Sequence, residues 1–104
     1  MIFICTKGDA TLEVLLQADP ENFADKTVID VSNPLDFTRG MPPALLEEYT
    51  NTHSLGEEVQ KLLPRAHVVK TLNVVNCEIM VNPGKTGGAP TMFISGNDAG
   101  AKAE

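Results

Sequence analysis

No apolar run in this 104-residue chain approaches the roughly 20 residues that a membrane-spanning helix needs. The first residues, Met1-Ile2-Phe3-Ile4-Cys5-Thr6, carry no basic region and no small-residue cleavage site, so they do not read as a signal peptide. Cysteine is scarce: Cys5 and Cys77 stand far apart and neither belongs to a C-x-x-C pair. Free thiols in a reducing cytoplasm are the expectation. The two histidines, His53 and His67, show no metal-ligand spacing with the cysteines, so no metal site is expected. Basic residues number 8 against 14 acidic ones, a net charge of −6. That balance argues against general nucleic-acid binding, which relies on Lys and Arg neutralising phosphates. There is also no glycine-rich phosphate loop. Gly84-Lys85-Thr86 imitates the end of a P-loop, but the first glycine of that motif would fall on Ile79, and no strand leads into it. A solvated loop is the better reading. Repeats, low-complexity stretches and domain linkers are absent too.

What the chain does contain is strand-like and helix-like segments in alternation. Ile2 to Cys5 is a short continuous apolar run, which predicts a buried strand. Asp9 is placed to cap a helix whose apolar face is Leu12, Leu15 and Leu16, closed by Pro20. Thr27 to Val31 predicts a second strand, stopped by Asn33-Pro34. A connection of about twenty residues follows, long for a compact domain and typical of binding segments. Within it, Met41-Pro42-Pro43 precedes Ala44 to Glu48, which predicts one or two helical turns. Ser54 with Glu57 three residues on forms a capping box, and Leu55, Val59, Leu62 and Leu63 line one face before Pro64 ends the helix. His67 to Leu72 is the third strand, Asn76 to Val81 a short helix, Thr91 to Ile94 the fourth strand, and Asp98 starts a last helix. Strands that are apolar without alternation are covered on both faces. The pattern predicts an α/β, three-layer fold: a parallel sheet of about four strands with crossover helices. A strand at Met1 and a helical pattern still running at Glu104 read as the latter part of a domain.

Two apolar runs end at an asparagine, and in open parallel sheets the binding crevice lies beyond the carboxyl ends of the strands. Thr6-Lys7-Gly8 follows strand one, Ser32-Asn33-Pro34 strand two, and Asn73 strand three. These groups suit a neutral polar ligand such as a ribose, a carboxamide or a flavin-like ring, and Lys7 could meet a phosphate. The plain alternative is that Asn33 and Asn73 only cap turns. Asp30 interrupts a strand of Val and Ile; a hydrogen-bonded carboxylate near the strand end is the stronger reading than a functional acid. Cys5 reads as a buried apolar thiol, on the usual burial of this residue. Glu47, Glu48, Glu57 and Glu58 read as exposed helix faces.

Three segments resemble one family: residues 28–37 (VIDVSNPLDF), 63–73 (LPRAHVVKTLN) and 95–103 (SGNDAGAKA). It is the NADP-dependent oxidoreductases related to the coenzyme F-420 (deazaflavin) dependent NADP reductases. The likeness covers almost the whole chain. It implies a Rossmann-like domain, of which residues 1–104 form the carboxy-terminal half. It also implies NADP as cofactor and hydride transfer to a deazaflavin, flavin or other small-molecule acceptor. Thr6 and Lys7 match the loop flanking the nicotinamide side, Asn33 and Pro34 the turn after the next strand, and Asn73 the residue closing the pocket near the acceptor. No protein acid or base has an obvious role, because hydride passes directly between stacked rings; the protein binds and orients. The G-x-G-x-x-G turn of the family has no counterpart in these residues. The expectation is therefore an oxidoreductase active only if the missing half comes from another chain or a longer form of this protein, with self-association or a complementary chain as partner. The alternative is a non-catalytic α/β interaction module without dinucleotide binding. Neither nucleic acid nor membrane is expected as a partner.

Overall fold

In the computed structural model, which describes residues 1–104, four strands form one sheet in the order β1-β2-β5-β6. They are β1 (Ile2–Ile4), β2 (Thr27–Asp30), β5 (His67–Thr71) and β6 (Ile94–Ser95). A separate two-stranded ribbon pairs β3 (Leu35–Asp36) with β4 (Ala44–Leu45). The helices are α1 (Thr11–Gln17), α2 (Leu55–Leu62), α3 (Cys77–Val81) and α4 (Ala99–Ala103). No helix is long and apolar enough to cross a membrane.

β1, β2 and β5 are parallel, with Ile4 beside Asp30 and Asp30 beside Lys70. Because successive side chains on a strand point to opposite faces, each strand feeds two layers. Ile4, Val28 and Val68 pack with Leu15 of α1 and with Leu55 and Val59 of α2 in the main core. Ile29 and Val69 face the other way, onto Ala101 of α4. The three layers are thus unequal: α4 shields only the middle of its face, and Phe3 on β1 stands exposed there.

The fourth strand departs from the expected all-parallel sheet. β6 runs antiparallel to β5, with Thr71 beside Ile94 and Lys70 beside Ser95. The reason is the connection. A right-handed crossover needs a helix long enough to carry the chain back along the sheet. Here β5 is followed only by the five-residue α3 and a 3-10 turn at Pro83–Thr86, so the chain enters β6 from the end where it left β5. The strand also begins later than expected, at Ile94. Ala44 to Glu48 is not helical: Ala44–Leu45 pair in the ribbon, and only Glu47–Tyr49 makes a 3-10 turn. In the first connection Asp9 does not cap α1: it lies in a 3-10 turn, Gly8–Ala10, and Ala10 stands at the N-cap with no side-chain bond. Leu16 is exposed while Leu15 faces the core, and Pro20 opens another turn after α1.

Other expectations hold closely. α2 starts at Leu55 with the full capping box between Ser54 and Glu57. Asn76 and Asp98 cap α3 and α4 with their side chains.

Candidate functional site

The carboxyl ends of β1, β2 and β5 meet around one turn, Ser32-Asn33-Pro34. Its shape is set by Asp30, which is wholly buried. Asp30 Oδ1 accepts hydrogen bonds from the Ser32 amide at 2.9 Å and the Ser32 hydroxyl at 2.7 Å, bending the chain just after the strand. Asp30 Oδ2 accepts from Lys70 Nζ at 2.8 Å, and the same ammonium donates to the Ser32 carbonyl. Every buried lone-pair site that matters is thus filled, as a buried carboxylate requires. Asp30 is the hydrogen-bonded strand-end residue that its position suggested.

The β1 loop closes on this turn at very short range. A Cβ on Gly8 would stand 2.2 Å from the Asn33 carbonyl oxygen and 2.5 Å from the Pro34 nitrogen. Only glycine lets the two backbones approach so closely. Beside it, Thr11 Oγ1 donates to the Lys7 carbonyl at 3.0 Å. Since a hydroxyl has one proton, the 2.8 Å contact between Thr6 and Thr11 must be donated by Thr6. The loop is therefore pinned from both sides.

From β5, Leu72 adopts a left-handed conformation with φ of 63°. This is unusual for a leucine and turns the following residue sharply. Asn73 is brought against Asn33: Asn33 Nδ2 donates to the Asn73 carbonyl at 2.5 Å, and Asn73 Nδ2 lies 3.4 Å from Asn33 Oδ1. The two asparagines that end the apolar runs thus bond to each other across forty residues of sequence.

Asn33, Pro34 and Asn73 line a cleft of about 600 Å³. Val68 and Lys70 also line it, together with Ser95-Gly96-Asn97. On one flank stand Leu45 and Tyr49 of the long connection, latched by the Leu46 amide on the Pro34 carbonyl at 2.9 Å. The first part of α2, Ser54 to Glu57 with Gln60 and Lys61, lines the cleft as well. Burial, and then the Glu48 and Glu58 carboxylates, push the Tyr49 hydroxyl above its ordinary pKa, so it is a neutral group on the wall. The Lys61 ammonium is paired at 2.8 Å with Glu58, which also meets His53 at 2.9 Å.

Thr6 and Lys7 line a smaller neighbouring cleft of about 320 Å³, which shares Asn33 with the first. Lys7 lies at its exposed rim, paired with Asp9 at 3.1 Å and 5.9 Å from the centre of the Phe37 ring. Cys5 lines this cleft too and is exposed, not buried. The strand ends one residue before it, so its side chain escapes the core. No group of His, Cys, Asp and Glu is arranged to hold a metal ion.

The five strand-end residues to which the resemblance gave a role therefore gather around one turn: Asn33, Pro34 and Asn73 in the large cleft, Thr6 and Lys7 in its neighbour. Lys70, Tyr49 and the Ser95–Asn97 wall were not foreseen, nor was the tight packing of Gly8 against Asn33. For Lys70 a signal existed. Thr27-Val28-Ile29-Asp30 and His67-Val68-Val69-Lys70 each carry one charge, of opposite sign, at the fourth residue of an apolar strand.

No protein-family model and no curated protein matches the chain. Solved structures do. The crystal structure of a putative F420-dependent NADP-reductase from Arthrobacter sp. FB24 is similar at a TM-score of 0.89 and 48% identity, over 99% of this chain and 46% of that one. A hypothetical protein, SMa0349 from Sinorhizobium meliloti, is similar at a TM-score of 0.73 and 25% identity, over 96% of this chain and 46% of the other. The chain spans about half the length of these structures. By fold and by sequence it is a Rossmann-like relative of the Arthrobacter reductase, as the three resembling segments implied.

Proposed function

We propose that this chain is the nicotinamide- and acceptor-side part of an NADP-dependent oxidoreductase that passes hydride between NADPH and a deazaflavin, flavin or similar ring. The observation that carries this reading is the gathering of Asn33, Pro34 and Asn73 at one cleft, with Thr6 and Lys7 beside it, in a chain 48% identical to the putative F420-dependent NADP-reductase of Arthrobacter.

The residues fit the uncharged end of such a cofactor better than its phosphates. Asn33 and Asn73 offer amide donors and acceptors for a carboxamide or ring carbonyl, and Leu45, Leu55 and Val68 give the cleft apolar surface. A phosphate would find the one helix start at this cleft already taken. At α2 the Glu57 carboxylate accepts from the Ser54 amide at 2.9 Å and would repel an anion. When bound, the nicotinamide supplies the hydride; the chain's own groups orient the rings and keep water from them.

Calorimetry on the 104-residue chain tests this. Flavin mononucleotide or 5-deazariboflavin is expected to bind, and Asn73→Ala to weaken binding about tenfold, the worth of one lost hydrogen bond. NADPH alone is expected to bind negligibly, since no glycine-rich turn at a helix start is present to hold its pyrophosphate. Absence of any ring binding would overturn the reading in favour of a non-catalytic interaction module. Micromolar affinity for NADPH would overturn the assignment of the residues to one end of the cofactor.

A further inference from the structure

The Lys70 ammonium has a place in the cleft that its structural bonds do not exhaust. Of its three N–H bonds, one goes to Asp30 Oδ2 at 2.8 Å and one to the Ser32 carbonyl. No protein acceptor takes the third. The side chain is 20% exposed, its partner Asp30 is fully buried, and Lys70 lines the large cleft while Asp30 does not. The pair is thus a fixed dipole with its positive end toward the cleft. Its stem runs beneath the start of α2, where Lys70 Cδ would be 3.8 Å from a Cβ placed on Gly56. The other charges lining the cleft are committed. Lys61 is paired with Glu58, and the Glu57 carboxylate accepts from both the amide and the hydroxyl of Ser54.

We infer that Lys70 is a ligand-contacting residue of this cleft, donating its third N–H to the edge of the acceptor ring where negative charge gathers on reduction. The inference rests on the oxidoreductase reading above. In hydride transfer a C–H bond breaks on the dihydronicotinamide and a new bond to that hydrogen forms on the acceptor, a C–H bond on a deazaflavin or an N–H bond on a flavin. Two electrons move with the hydride, so the donor ring is oxidised and the acceptor ring is reduced. The acceptor thereby gains one negative charge, which a proton from solvent later neutralises. A preorganised ammonium in a partly dry cleft stabilises that charge as it develops. Asp30 and Ser32 are positioning residues: they hold the ammonium in one place, so that no reorganisation is needed when the charge appears.

The test compares binding of oxidised and reduced 5-deazariboflavin, at a pH where the reduced ring is anionic. The wild-type chain is expected to bind the reduced form about tenfold more tightly, the worth of a hydrogen bond to a charged group. Lys70→Arg should keep most of that preference. The single variant Lys70→Met would strand a buried carboxylate and could fail to fold. The double variant Asp30→Asn with Lys70→Met removes both charges while keeping an acceptor for Ser32, and its fold is checked by circular dichroism. In the double variant the ratio of the two affinities should fall to about one. A merely structural Lys70 would leave that ratio unchanged, and such a result overturns the inference while leaving the oxidoreductase reading standing. Equal binding of both forms by the wild type also overturns it. A wild-type chain that binds neither form overturns both.

Discussion

A few residues hold the site together by filling space or by leaving it empty. Gly8 is the clearest. Its backbone is not in the left-handed region, so an alanine there would ordinarily be neutral or slightly stabilising. The added Cβ would nonetheless sit 2.2 Å from the Asn33 carbonyl oxygen, a backbone atom that cannot swing aside. Gly8→Ala is therefore expected to destabilise the chain by about 1–3 kcal/mol, the usual cost of overpacking. Urea unfolding should show a lower midpoint at unchanged slope. Because the clash pushes on the Asn33–Pro34 turn, the Asn33 and Asn73 side-chain amide resonances should shift together. Wild-type stability in this variant would mean that the two backbones are not in contact. Asp30 and Lys70 act by charge instead: their pairing satisfies a carboxylate that burial alone would penalise heavily.

At the scale of elements, α2 is both a wall of the cleft and a main contributor to the core. Val59 and Leu55 are buried beneath it, and Leu63 closes it. Its start depends on a reciprocal arrangement. Ser54 Oγ accepts from the Glu57 amide at 3.2 Å, and Glu57 Oε2 accepts from the Ser54 amide and hydroxyl. Ser54→Ala should cost about 1 kcal/mol at neutral pH. The cost should depend on pH, and its sign follows from Glu57. The Ser54 hydroxyl, then the Ser54 amide, hold the Glu57 carboxyl below its ordinary pKa. A depressed folded-state value stabilises fully above the unfolded pKa of about 4.3 and is lost as pH falls through the lower folded value. The gap between wild type and Ser54→Ala should therefore narrow, without closing, as pH falls through the lowered Glu57 value, because the Glu57 amide still donates to Ser54 Oγ in acid. Urea titrations at several pH values check this, and a gap that stays constant into acid would contradict it. The capping box was legible because it is local, a matter of residues three apart. The direction of β6 was not. It depends on where α3 and the turn after it deliver the chain, and a run of five or six residues carries no mark of the end from which it is entered.

At the scale of the molecule, the sheet presents an unpaired edge. β1 has a neighbour on one side only, and Met1 and Phe3 are each more than half exposed there. Unpaired strand edges with apolar side chains invite pairing with another chain. Concentration-dependent self-association is expected by light scattering, and Phe3→Lys should suppress it by placing a charge on the edge. A clean monomer of the wild type at high concentration would count against this. The site has the same character as the edge. Its walls come from the β1 loop, the β2 turn, the end of β5 and the long connection, so it exists only when the sheet is assembled.

The amino-acid sequence by itself determined the α/β alternation, the caps of α2, α3 and α4, the buried face of α2 and the residues standing at the strand ends. These follow from period, propensity and steric rules that act over a few residues. Only the tertiary structure decided that Asn33 bonds to Asn73, that Asp30 meets Lys70, that Gly8 is pressed against a carbonyl, and that Cys5 is exposed. Each of these joins groups from separate strands, or turns on where a strand ends. Parallel register brought Asp30 beside Lys70, and sheet order brought the β1 loop beside the β2 turn. The runs at 27–33 and 67–73 each announced a strand with a polar end. That the two ends form one cleft is a fact of packing.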